Sequence, residues 1–109
     1  MTVKPWGKFE QFTLNEKSTV KLIYINPEQR TSLQTHKNRS ETWCVVRGQC
    51  QVIVGDLKMN LYENGIVHIP VGMPHRIIGL DEQAVILEIA FGEFDEDDIV
   101  RIQDDYERI

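Results

Sequence analysis

Gln34, His36, Glu41 and His75 are the residues of this chain whose types and spacing suit metal chemistry. Gln34 and His36 stand two apart, so an extended strand projects both from one face. Glu41 opens the next alternating run, and a bend before it can return its carboxylate beside them. His75 follows Pro70-Val71-Gly72-Met73-Pro74, a Pro/Gly turn that delivers one imidazole at a strand start. Two imidazoles, a carboxylate and an amide oxygen make a mixed N/O shell for one divalent metal. Zinc is the first expectation, and manganese, cobalt, nickel or iron also fit. With no thiolate in the set, a structural zinc knuckle is excluded. The incomplete shell leaves positions open to water or substrate.

The elements that must position these residues read as strands. Val20, Leu22 and Tyr24 alternate with Lys21, Ile23 and Ile25 in a run that stops at Asn26-Pro27. Further short strands are expected over residues 6–13, 41–46, 49–54, 57–61, 66–69, 76–80 and 84–91. Between several of them lie Arg47-Gly48, Gly55-Asp56, Glu63-Asn64-Gly65 and Asp81-Glu82, all turn chemistry. Only the acidic stretch 93–98 reads as a possible helical turn. Many short strands at regular spacing predict an all-β closed barrel or sandwich, one domain over residues 1–109. In the 41–54 hairpin, alternation turns Trp43, Val45, Cys50 and Val52 inward and Cys44 outward, so Cys44 and Cys50 are expected to be reduced.

Composition sets the outer limits. The chain has 109 residues, 41% hydrophobic and 27% charged, the mix of one ordinary globular domain. Its net charge of −5 argues against a nucleic-acid or anionic-membrane partner. No apolar run approaches the roughly 18 residues a bilayer span needs, and Met1 to Gly7 lacks a signal-peptide core, so a cytoplasmic location is expected. An anionic small molecule would need its own local cluster of Lys and Arg.

The spacing Gln-x-His-x4-Glu-x6-Gly, followed by Pro-x-Gly-x2-His, matches the two cupin motifs, with Gln34 in place of the usual first histidine. More narrowly, the chain resembles the cupin domain of type II mannose-6-phosphate isomerases, a domain also found fused behind a mannose-1-phosphate guanylyltransferase. The resemblance rests on Lys4-Pro5-Trp6-Gly7, Val20-Lys21, Ser32-Leu33-Gln34-Thr35-His36, Arg39-Ser40-Glu41-Thr42-Trp43, His75-Arg76 and Asp97-Asp98-Ile99-Val100-Arg101. It implies a single-domain jelly-roll cupin (double-stranded β-helix) and metal held by Gln34, His36, Glu41 and His75. It departs from the family pattern at Glu28, Lys37, Asn38, Thr42 and Ala90. Thr42 and Ala90 stand where the family commonly has a histidine and a glutamine.

The implied activity is interconversion of mannose 6-phosphate and fructose 6-phosphate through an enediol. Glu88, His68 and Lys21 are the candidate proton-transfer residues. Arg39, Arg76 and Lys21 are the candidate phosphate holders, with both arginines expected at the barrel rim. Two other classes stay open: a non-catalytic metal- and sugar-binding accessory cupin, and a cupin oxygenase using His36, His75 and Glu41 as an iron triad. A homodimer is expected, because residues 6–13 can pair with a neighbouring chain or complete their own sheet.

Overall fold

The computed structural model describes residues 1–108. Its strands are β1 (Thr2–Lys4), β2 (Gly7–Phe9), β3 (Ser18–Ile25), β4 (Leu33–Thr35), β5 (Arg39–Arg47), β6 (Cys50–Val54), β7 (Leu57–Leu61), β8 (Ile66–Ile69), β9 (His75–Gly79), β10 (Ala84–Gly92) and β11 (Val100–Gln103). There is no helix among the described residues, so none long and apolar enough to cross a membrane. A four-stranded sheet in the order β3-β10-β5-β8 and a five-stranded sheet in the order β11-β4-β9-β6-β7 enclose one core. The fold is an all-β cupin.

Alternation decides which side chains build that core. Along β5, Arg39, Glu41, Trp43 and Val45 are buried, while Ser40, Thr42 and Cys44 between them are half-buried. Cys50, Val52 and Val54 of β6 point inward and meet Ile77 of β9 and Ile86 of β10. Burying each such aliphatic side chain contributes about 1.5–3 kcal/mol. Cys44 lies half-buried and Cys50 buried, both as free thiols.

Two expectations are corrected, and one strand is added. Residues 6–13 are not one strand: among the described residues β2 pairs only with β1, from Thr2↔Phe9 to Lys4↔Gly7, in a hairpin that joins neither barrel sheet. Phe9 and Phe12 stand three apart and cannot share a strand face, which ends the alternation. Residues 93–98 form no helix. The Asp95 carboxylate instead accepts the Asp97 N–H (2.9 Å), and its carbonyl accepts the Asp98 N–H (3.0 Å), closing a tight turn. Beyond that turn β11, which the alternation did not reveal, pairs with β4.

Candidate metal centre

Three elements deliver the four candidate ligands. β4 carries Gln34 and leads into His36, β5 carries Glu41 on its inner face, and β9 begins at His75. The Pro/Gly turn ties two of these together. Gly72, at φ 79°, donates its N–H to His36 O at 2.9 Å while the same turn leads into His75. His36, Glu41 and His75 are all buried, and one ligand atom from each lies within 4.8 Å of the others.

The hydrogen bonds fix what those atoms offer. His36 Nδ1 donates to Asp98 O at 2.7 Å and His75 Nδ1 donates to Met73 O at 2.9 Å. Each ring therefore turns a lone pair on Nε2 toward the other, and the two Nε2 atoms are 3.2 Å apart. Glu41 adds a carboxylate 3.7 Å from His36 Nε2 and 3.4 Å from His75 Nε2. Among the described residues its Oε1 is buried with no hydrogen-bond partner. Burial is the main cause holding both imidazoles below the ordinary histidine range, His75 at about 4, so both are neutral at neutral pH. Acceptors that face one another in a dry site want a cation between them. Ligands about 2.1 Å from one ion lie roughly 3.0–3.4 Å apart, close to the spacings seen here, so the residues present fit a divalent metal.

Gln34 stands directly opposite His75 in the β4–β9 ladder and lines the same cavity. Its Oε1 accepts the Ser32 hydroxyl at 3.1 Å. The cavity, about 780 Å³, is also lined by Lys21, Arg39, Glu88 and Arg101. Glu88 is buried beside Glu41: Trp43 Nε1–H donates to its Oε1 at 3.3 Å, and Lys21 Nζ lies 3.5 Å from its Oε2. Burial, then the neighbouring Glu41 carboxylate, raises the Glu88 carboxyl above the usual range, with Lys21 opposing. Trp43 meets the His75 ring edge-on at 5.5 Å and separates the polar site from the apolar core.

Residues 1–104 match the family described as mannose-6-phosphate isomerase C-terminal. The chain belongs to that family. Its relatives include the xanthan biosynthesis protein XanB of Xanthomonas campestris pv. campestris, 36% identical over 107 residues, which cover 96% of this chain and 23% of XanB. A mannose-1-phosphate guanylyltransferase of Escherichia coli strain K12 is 36% identical over 113 residues, covering 97% of this chain and 23% of that enzyme. The chain thus spans about a quarter of the length of these curated relatives. Among solved structures, Bacillus subtilis oxalate decarboxylase aligns with a TM-score of 0.73 at 24% identity, over 80% of this chain and 24% of that one. A cupin 2 conserved barrel domain protein from Salinispora arenicola aligns at 0.63 and 17% identity, over 76% of this chain and 70% of that one. These two likenesses establish the fold.

Within this family member, three expected positions change. Arg39 is no rim residue: it is 6% exposed, with Nε 3.2 Å from Glu41 Oε2, Nη2 3.2 Å from His36 Nε2 and Nη1 3.1 Å from Asp95 O. It begins β5 two residues before Glu41, so the two share the inner face. Arg76 follows His75 along β9 and projects from the opposite face. There it is 2% exposed, donating to Thr31 O at 3.0 Å and Gln103 Oε1 at 3.3 Å, and it does not line the cavity. His68 is exposed, paired across the sheet with Thr42 and 3.1 Å from its hydroxyl, on the face away from Glu41. Position 42 therefore looks outward, and the Thr42 departure leaves the cavity untouched.

Two residues escaped the sequence reading. Asp98 accepts the Lys37 and Asn38 N–H groups, each at 2.9 Å, while its carbonyl orients His36. Those amides hold its carboxyl below the usual range. Phe94 lies under both the Lys21 ammonium (4.7 Å) and the Arg39 guanidinium (4.3 Å). The Asp97-Asp98-Ile99-Val100-Arg101 segment was the available signal for the first. An isolated phenylalanine gave none for the second.

Proposed function

We propose that this chain is a metal-dependent sugar-phosphate isomerase domain that interconverts mannose 6-phosphate and fructose 6-phosphate. The observation that carries the reading is a second buried carboxyl, Glu88, which lines the same cavity as His36 and Glu41 and has its proton affinity raised. Aldose–ketose isomerisation takes a proton from C2 and returns one to C1, while the O2 hydroxyl proton moves to O1. A carboxyl whose hold on its proton is strengthened by burial suits that shuttle.

In this reading Trp43 Nε1–H holds Glu88 Oε1, which leaves Oε2 to carry the proton beside Lys21 Nζ. Lys21 donates to a sugar oxygen, and Arg39 Nε, 3.2 Å from Glu41 Oε2, holds that carboxylate aimed at the two imidazoles. A zinc ion held by His36, Glu41 and His75, with Gln34 at its edge, would supply a Lewis acid against negative charge developing on O1 and O2. Manganese, cobalt, nickel or iron would serve the same role.

One observation favours an accessory, sugar-binding cupin instead. Ala90 is the cross-strand partner of Glu41 on the inner face of β10, where the family's glutamine would reach into the site. A coupled isomerase assay with added Zn²⁺, Co²⁺ or Mn²⁺ decides. Turnover that falls more than about 100-fold in Glu88→Gln, with metal stoichiometry kept, supports the isomerase. No turnover by the wild type with any of the three ions hands first place to the accessory reading.

A further inference from the structure

Resting on the sugar-phosphate reading, we propose that Arg101 is the residue that receives the ligand's phosphate, at the end of the cavity away from the His36–Glu41–His75 cluster. Sheet register carries the argument. Arg101 of β11 is the cross-strand partner of Gln34, and Gln34 is the cross-strand partner of His75. Residues in one such row project from the same face, so Arg101, Gln34 and His75 form a line across three strands. Two strand spacings of about 4.8 Å set the ends of that line roughly 10 Å apart at the backbone. A hexose with its phosphate on the far carbon suits that span.

The other cations near the cavity are already committed. Arg30 is held bidentately by Asp105 at 2.7 and 2.8 Å, and Arg108 by Asp104 at 2.6 and 3.0 Å. Arg39 serves Glu41 and His36, and Lys21 serves Glu88. Arg101 lines the cavity, and among the described residues its Nε is buried without a hydrogen-bond partner. A buried donor on a permanent cation is unfavourable unless an acceptor completes it. In a chain of net charge −5 that acceptor must come to a local positive site, since the overall field repels anions. A phosphate monoester presents several acceptor oxygens in the geometry a guanidinium prefers. Glu96 also lines the cavity, so the Arg101 guanidinium has to offset that charge as well when an anion binds.

The test is calorimetric titration of metal-loaded wild type, Arg101→Gln and Arg101→Lys with mannose 6-phosphate, mannose and inorganic phosphate. Arg101→Gln should weaken mannose 6-phosphate about ten- to hundred-fold and flatten its salt dependence, with metal content and mannose binding unchanged. Arg101→Lys should recover part of the loss, and it decides the matter if the glutamine variant fails to fold. Unchanged mannose 6-phosphate affinity in Arg101→Gln overturns the proposal. So does an equal loss for mannose, or a wild type that binds mannose 6-phosphate no better than mannose. Intact phosphate-selective binding without turnover would remove the isomerase reading alone and leave the anion site standing.

Discussion

At the scale of single residues, the centre depends on acceptors kept neutral or paired. Replacing His75 or Glu41 by alanine should abolish stoichiometric metal binding, read by elemental analysis. The stability lost with the metal is about 2.7 kcal/mol when free metal stands a hundredfold above Kd. Metal retained at wild-type stoichiometry would refute the ligand assignment. The metal-free protein should also have a defined acid response. His75 titrates near 4 folded against 6.5 unfolded, so between those values the unfolded chain binds a proton that the folded chain excludes. Stability therefore falls as pH drops through 6.5 toward 4, with no further loss from this group below that. A urea midpoint that stays flat from about pH 7 to 4 would count against a neutral buried imidazole. The ligand cluster was legible because Gln34, His36, Glu41 and His75 sit at motif spacing, which encodes strand face directly. The arginines were not. Adjacency of Arg76 to His75 in sequence suggested adjacency in space, whereas the strand's two-residue period turns neighbours to opposite faces. The same period, applied from Arg39 rather than Glu41, would have placed Arg39 inside.

At the scale of elements, the alternating runs were readable where one face is buried, as in β5 and β6, while β10, buried on both faces, read as a short apolar run. β11 escaped because its Val-Arg-Ile-Gln alternation runs for only four residues and turns the apolar Val100 and Ile102 outward. The turn before β11 acts at a distance on the centre. Asp98→Ala removes the carboxylate that gathers the Lys37 and Asn38 amides, loosening the segment that leads from His36 to Arg39. Metal affinity should fall about ten- to hundred-fold, the scale on which outer-shell supports act, although Asp98's side chain touches no ligand. A competition titration against a chelator measures this, and an unaltered affinity would demote the turn to a connection.

At the scale of the whole molecule, the hairpin of β1 and β2 stands apart from the barrel. The radius of gyration is 14.5 Å, with extents of 51 × 33 × 23 Å, against about 13 Å for a compact chain of this length. Deleting residues 1–9 should leave metal content and the melting temperature of the barrel within experimental error of the full chain. The outer face of the four-stranded sheet exposes Val20, Leu22, Tyr24, Val46 and Ile66. If a second copy covers this face, light scattering should read twice the 12.7 kDa chain mass and Leu22→Glu should reduce it to one; a wild type that reads 12.7 kDa would refute the dimer. The contact between His36 and Asp98 joins residues 62 positions apart. During synthesis, the ribosome releases His36, Glu41 and His75 well before Asp98. A nascent chain therefore exposes loosely held ligands for a few seconds, at about 5–20 residues per second, before the segment that orients them arrives. For a chain that takes up a metal, the ion that first meets the growing polypeptide would then depend on the order of synthesis as well as on affinity.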